Sequence, residues 1–144
     1  FKIMTNKTTI GLSFIVLLMT VLSMFMQGCG EDNQEIGVGP IKKVELSATI
    51  DNALVEQGKT VFEAKCVSCH KFDEKLVGPP LKGITKKRKP EWIMNMILNP
   101  EKMTKENIEA QKLMAQYLTQ MTFQNVTEQE ARAVLEYFRS VDSK

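Results

Sequence analysis

Cys66, Cys69 and the chain's single histidine, His70, stand together as Cys66-Val67-Ser68-Cys69-His70. Two thiols three positions apart lie on one side of a helical turn. From there both reach the vinyl groups of one porphyrin and form thioethers. The histidine that follows swings its imidazole under the iron. Cys-x-x-Cys-His is thus the attachment sequence of c-type haem, one covalent cofactor with its first axial ligand supplied alongside. Two other chemistries use the same thiol spacing. A structural zinc site needs about four ligands, and the chain adds only Cys29 and no further histidine. A dithiol switch does not require the histidine and expects a thioredoxin-like βαβ pattern, which this sequence does not show.

The 144 residues suffice for one domain plus extras. Residues 1–28 stand apart from it: Lys2 and Lys7, an apolar run from Ile10 to Met26, then Gln27-Gly28-Cys29. A charged start, an apolar stretch and a small residue at its end read as an export signal. An uncleaved anchor is the alternative, although the run is slightly short for a membrane span. Cys29 directly after glycine, with Met26 three positions upstream of it, resembles a lipoprotein box. Cys29 is therefore the expected lipidation site, holding the protein to a bacterial membrane on its periplasmic side, with the leaflet open. Export agrees with the haem reading through separate residues. Lys2 and Lys7 are two of 19 basic residues and none of the 17 acidic ones lies before Cys29, so the remainder is formally neutral. A nucleic-acid partner needs a dominant basic face and is not expected.

The elements that must position the motif follow from periodicity and breakers. Residues 29–52 read as a linker: polar and acidic at first, then Gly37-Val38-Gly39-Pro40, which cannot be a helix interior. Ile41, Val44, Leu46 and Ile50 are irregularly spaced; a solvated tether is the default, an extended path along the domain the alternative. The domain itself is expected over residues 53–144. A first helix spans about Ala53 to Ala64, with Gly58 and Phe62 on one face. A polar stretch after His70 turns at Gly78-Pro79-Pro80. Pro90 opens a helix at its first position, with Trp92, Ile93, Met96 and Ile97 as its apolar stripe, and Asn99-Pro100 stops it. Another helix spans about Lys105 to Tyr117, with Ile108, Leu113 and Met114 inward. Thr127-Glu128-Gln129-Glu130 is a capping box for a last helix to about Val141, whose inward face is Ala131, Val134, Leu135 and Phe138 with Tyr137 at its border. A domain of about 90 residues buries a limited core, so the haem is expected to supply much of it.

Gly58, Phe62, the Cys66–His70 motif, Gly78-Pro79-Pro80-Leu81, a late Met121 and the final helix with Tyr137 together resemble the monohaem class I cytochrome c family, over about residues 55 to 141. The resemblance implies an all-α domain of about four to five helices wrapped around one covalent haem c. In that family the glycine–phenylalanine pair packs on the last helix, at positions here matching Val134 and Tyr137. The Pro79 carbonyl would accept from the His70 imidazole, Leu81 would pack on the haem face, and Trp92 would lie beside the haem propionates. Lone histidine leaves methionine as the natural sixth ligand. Met121, in a loop before the cap Thr127, matches the family's ligand loop, although Thr122 follows where the family often has proline; Met103, Met114 and an open site are the alternatives. With iron held by His70 and Met121 the protein is expected to be an electron carrier and not an enzyme. It would exchange single electrons with redox partner proteins, a periplasmic reductase among the candidates. A haem enzyme or gas sensor with an open sixth site is the competing reading. The basic segment Lys71, Lys75, Lys82, Lys86, Lys87, Arg88 and Lys89 is either a docking patch or a solvated charged face.

Overall fold

Helix starts in this chain are written by caps and prolines. The computed structural model describes residues 32–144, so the export signal and Cys29 lie outside the described residues. A single turn, α1 (Asp32–Glu35), comes first. α2 (Asn52–Lys65) begins where Asp51 accepts hydrogen bonds from the Ala53 and Leu54 N–H groups, filling donors that a helix start leaves open. α3 (Ile84–Lys87) is another single turn. α4 (Pro90–Leu98) and α5 (Pro100–Glu106) each carry proline at the start, where its missing N–H costs nothing. α6 (Ile108–Tyr117) is capped by Asn107 and α7 (Glu128–Asp142) by Thr127, with the full capping box to Glu130. The domain is all-α, as expected, with no strand among the described residues. Its helices outnumber the expected four to five because single turns form and because one expected helix is divided.

That division is a correction. Residues 105–117 are not continuous: the backbone at Asn107 is extended, and its side chain accepts from the Ala110 N–H. The register shifts accordingly. Ile108 is 53% exposed and Met114 43% exposed, while Ala110 is the fully buried residue of α6.

α2 packs mainly on α7. Gly58 is where they meet: a Cβ there would run into the Ala133 carbonyl and the Val134 amide. Phe62, one turn on, forms an aromatic cluster with Tyr137 and Phe138, ring centroids 5.7 Å away in both cases, and with Phe72 at 5.2 Å. Ala131, Val134, Leu135 and Phe138 are buried as the periodicity predicts. Asp142, at the end of α7, accepts from the Gly83 and Thr85 N–H groups and the Thr85 hydroxyl, which fixes the turn leading into α3.

The segment expected to be a solvated linker is tied to the domain from Gln34 onward. Asn95, wholly buried on α4, donates to the carbonyls of Ile36 and Ile41 and accepts from the Ile41 N–H. Asn107 donates to the Gln34 carbonyl, and Glu91 accepts from the Val44 N–H. Ile41 is in the core. A strand of backbone alone cannot bury itself without partners for its polar groups, and these three side chains supply them. Further on, Glu136 accepts from the Asp51 N–H and Arg139 donates to the Ser47 carbonyl.

Candidate functional site

His70 stands at the wall of a deep, mainly apolar cleft bounded by α2, the 77–84 loop, α4, α6 and the 119–124 loop. Its position follows from backbone bonds. The Cys69 and His70 N–H groups both donate to the Cys66 carbonyl, closing a turn at the end of α2. The next segment folds back along this turn: Gly78 N–H donates to the Cys69 carbonyl at 2.8 Å, Leu81 to Lys71 at 2.9 Å and Lys82 to Phe72 at 3.0 Å. Gly78 thereby lies against the imidazole so closely that a Cβ would come within 2.5 Å of Cε1, 2.9 Å of Nδ1 and 3.0 Å of Nε2. The next residue sets the ring's orientation. His70 Nδ1 is 3.0 Å from the Pro79 carbonyl. A carbonyl only accepts, so Nδ1 carries the proton and Nε2 keeps its lone pair. Burial pushes the His70 pKa below its ordinary value, with the Pro79 bond opposing. The ring is therefore neutral near pH 7, the state a metal ligand requires.

Both motif thiols are free, Cys66 half-buried and Cys69 exposed, and both border the cleft. Burial raises the Cys66 pKa, Lys65 lowers it and Cys69 adds to the rise. A redox-switch thiol is activated by the opposite shift. Among the described residues no group of three or more His, Cys, Asp or Glu is placed to hold a metal ion. A flat apolar macrocycle fits what is present: an apolar cleft, two thiols at its edge, and a neutral imidazole with its outer nitrogen already partnered.

The other expected residues distribute as follows. Pro79, Leu81 and Trp92 line the cleft, and so does Met121 from the opposite loop. The Trp92 indole N–H finds a buried acceptor in Asn107 Oδ1 at 3.0 Å, delivered by the break between α5 and α6. Met103 is wholly buried, and its sulfur accepts at 2.9 Å from the Val38 N–H of the strap, the segment 34–51 that precedes α2. Met114 borders the cleft from an exposed position, and Met96, expected as core filler, lines it too.

Sequence reasoning missed Phe72, Ile84, Thr104, Gln120 and the asparagines 95 and 107. Phe72 packs on Phe62 and edge-on to Tyr137 at 5.6 Å, behind the His70 turn.

Comparison with known proteins gives the same direction. A family model described as cytochrome c matches residues 55–142. No curated relative matches the chain. Among solved structures, a cytochrome c from Rhodothermus marinus is 40% identical, over 78% of this chain and 97% of that one, with a TM-score of 0.75. An engineered cytochrome c from the same organism, Rma TDE, is 39% identical over 78% and 98% of the two chains, also at 0.75. The same engineered protein bound to a carbene intermediate, 1-ethoxy-1-oxopropan-2-ylidene, is 38% identical over 78% and 98%, at 0.72.

Proposed function

Because this chain belongs to the cytochrome c family and carries its covalent c-type haem, we propose that it is a lipid-anchored, periplasm-facing carrier of single electrons. Haem-based electron transfer and redox partner proteins come with the family. The anchor at Cys29, the compartment, the axial ligands and a respiratory reductase as partner are our reading. Bound haem supplies a one-electron couple; the chain's residues govern its environment. Cys66 and Cys69 fix it through thioethers, and His70 presents Nε2 while Pro79 holds Nδ1–H. Leu81 and Trp92 exclude water. Met121, from the loop across the cleft, offers a thioether sulfur, a pairing with histidine that raises the potential.

The observation that carries this reading is the Nδ1–Pro79 bond at 3.0 Å beside two unpaired thiols in an apolar cleft. Denaturing gels stained for haem test it. Wild-type protein should keep its haem, and Cys66→Ala with Cys69→Ala should lose it; a zinc-loaded, haem-free wild type would overturn the reading. Cys29→Ser should abolish fatty-acid labelling and release the protein from membranes.

One observation favours a second reading, a haem enzyme or gas sensor. The engineered Rhodothermus marinus relative holds a carbene intermediate. Against it, the chain has no second histidine to serve as a distal acid or base. Ready carbon monoxide binding by the reduced wild type would favour that reading.

A further inference from the structure

The Met121 loop lacks the usual means of stiffening. It leaves α6 through Leu118, in the left-handed region at φ 54 and 87% exposed, and turns at Asn125 with φ 50. A branched side chain disfavours that conformation. No proline follows Met121, and Thr122, Phe123 and Gln124 are exposed. Lys65 Nζ donates to the Asn125 carbonyl at the loop's far end, at 3.0 Å, and one polar chain ties the part around Met121 to the rest of the fold. The Thr104 hydroxyl, buried on α5, donates to Gln120 Oε1 at 2.9 Å. The Gln120 Nε2 group then donates to the Met121 carbonyl at 3.0 Å. The reversed amide would set Oε1 against that carbonyl, acceptor against acceptor. Only the first orientation satisfies both bonds, and it directs the threonine proton to Gln120.

Thr104 also has two other acceptors in reach, the Pro100 carbonyl at 3.0 Å and the Glu101 carbonyl at 3.1 Å. A hydroxyl has one proton to give. With the loop closed it serves Gln120; with the loop away it turns back to its own helix. The buried donor is never orphaned, so opening avoids the penalty that an unsatisfied group would carry. Thr104, Gln120 and Met121 all line the cleft.

We propose that Thr104 and Gln120 are a reversible latch that holds the Met121 loop closed and sets how often the sixth position of the haem iron opens. They are positioning residues acting through Met121, and the inference rests on the reading of Met121 as sixth ligand. The test is stopped-flow binding of carbon monoxide to the reduced holoprotein at saturating gas, where loop opening limits the rate, together with amide hydrogen exchange over residues 119–124. Thr104→Val and Gln120→Leu should each raise the binding rate about five- to tenfold, the worth of one hydrogen bond, and lower exchange protection in the loop. Thr104→Ser, which keeps the hydroxyl, should match wild type. The double variant should exceed Gln120→Leu by little, since both remove one link. If Thr104→Val fails to take up haem, Gln120→Leu on the loop decides alone. Equal opening in Thr104→Ser and Thr104→Val would overturn the latch. So would wild-type rates in Thr104→Val and Gln120→Leu beside a fast Met121→Ala. A Met121→Ala variant no faster than wild type would instead remove the ligand reading underneath.

Discussion

Gly78→Ala adds one methyl group at the point where the backbone touches the His70 ring. That carbon would sit 2.5 Å from Cε1 and 3.0 Å from Nε2. Ordinary carbon contact begins near 3.5 Å, so about 0.5 to 1 Å must be yielded by the ring or by the 78–81 backbone. That backbone is pinned by the Gly78 and Leu81 N–H bonds. Whichever moves, the 3.0 Å Nδ1–Pro79 bond is strained, since a separation beyond about 3.6 Å is no longer a hydrogen bond. Loss of an outer partner to a metal-bound histidine costs about 10- to 100-fold in affinity. A ring without that acceptor is a weaker electron donor and supports the oxidised state less. If a tenfold loss fell wholly on that state, the potential would rise by about 59 mV for one electron. Shared between the two states, a rise of about 20 to 60 mV is expected. Overpacking should also cost about 1 to 3 kcal/mol of stability. Spectroelectrochemical titration and thermal melting of the holoprotein read both. A potential within about 10 mV of wild type, on the one-electron scale just used, with an unchanged melting point would refute the argument that Gly78 sets the ring.

Met103→Ala should destabilise the protein by about 2 to 5 kcal/mol in urea titration, because a wholly buried side chain is removed, while leaving the visible spectrum unchanged; a ligand-loss spectrum would move the sixth-ligand reading to Met103. Glu136 governs the acid limb of stability. Burial raises its pKa, but Arg132, the Asp51 N–H and Arg139 together bring it below the usual carboxylate value. Its contribution is thus complete above the unfolded pKa of about 4.3 and lost as pH falls through the lower folded value. Glu136→Gln should cost about 2 kcal/mol at pH 7 and flatten the stability-against-pH curve below pH 4.3; an equally steep limb would assign acid sensitivity to other groups. Lys86→Gln with Lys87→Gln should slow electron transfer to an acidic partner at low salt by less than about threefold, with a shallow salt dependence, measured by flash photolysis.

Local signals carried much of the architecture in the sequence. Thr127 and Glu130 form the capping box they spell, and Pro90 opens its helix, because both effects act within one turn. Gly58 was legible as a crossing point, and His70 with Pro79 as neighbours, because each depends on a short motif. The strap was not. Its backbone is bound by Asn95, Asn107 and Glu91, which lie 47 to 73 positions away, and no periodicity encodes such a pairing. Nor did the sequence separate α5 from α6. Asn107 is a poor helix former but a tolerable one; its cap bond to Ala110 is local, but its bonds to Trp92 and Gln34 are tertiary, and they settle the break.

Charge is where proximity in sequence misleads most. The run from Lys71 to Lys89 looks like a single basic face. Folding disperses it: Lys82 pairs with Asp73, Arg88 with Glu109 and Lys89 with Glu35. Lys71 approaches Glu74, and Lys75 lies over the Tyr117 ring at 5.0 Å. Exposed pairs of this kind add about 0 to 1 kcal/mol each, so their effect on stability is slight. Their effect on the distant field is larger, because each pair is nearly neutral at a Debye length of about 10 Å. Among the described residues Lys86 and Lys87 carry no such ion pair, and they end α3, whose preceding turn is fixed by Asp142. Steering by this face therefore rests on two lysines beside a carboxylate, too little for a steep salt dependence. Contact at the mouth of the cleft is left to Val77 and Met114, each more than 40% exposed.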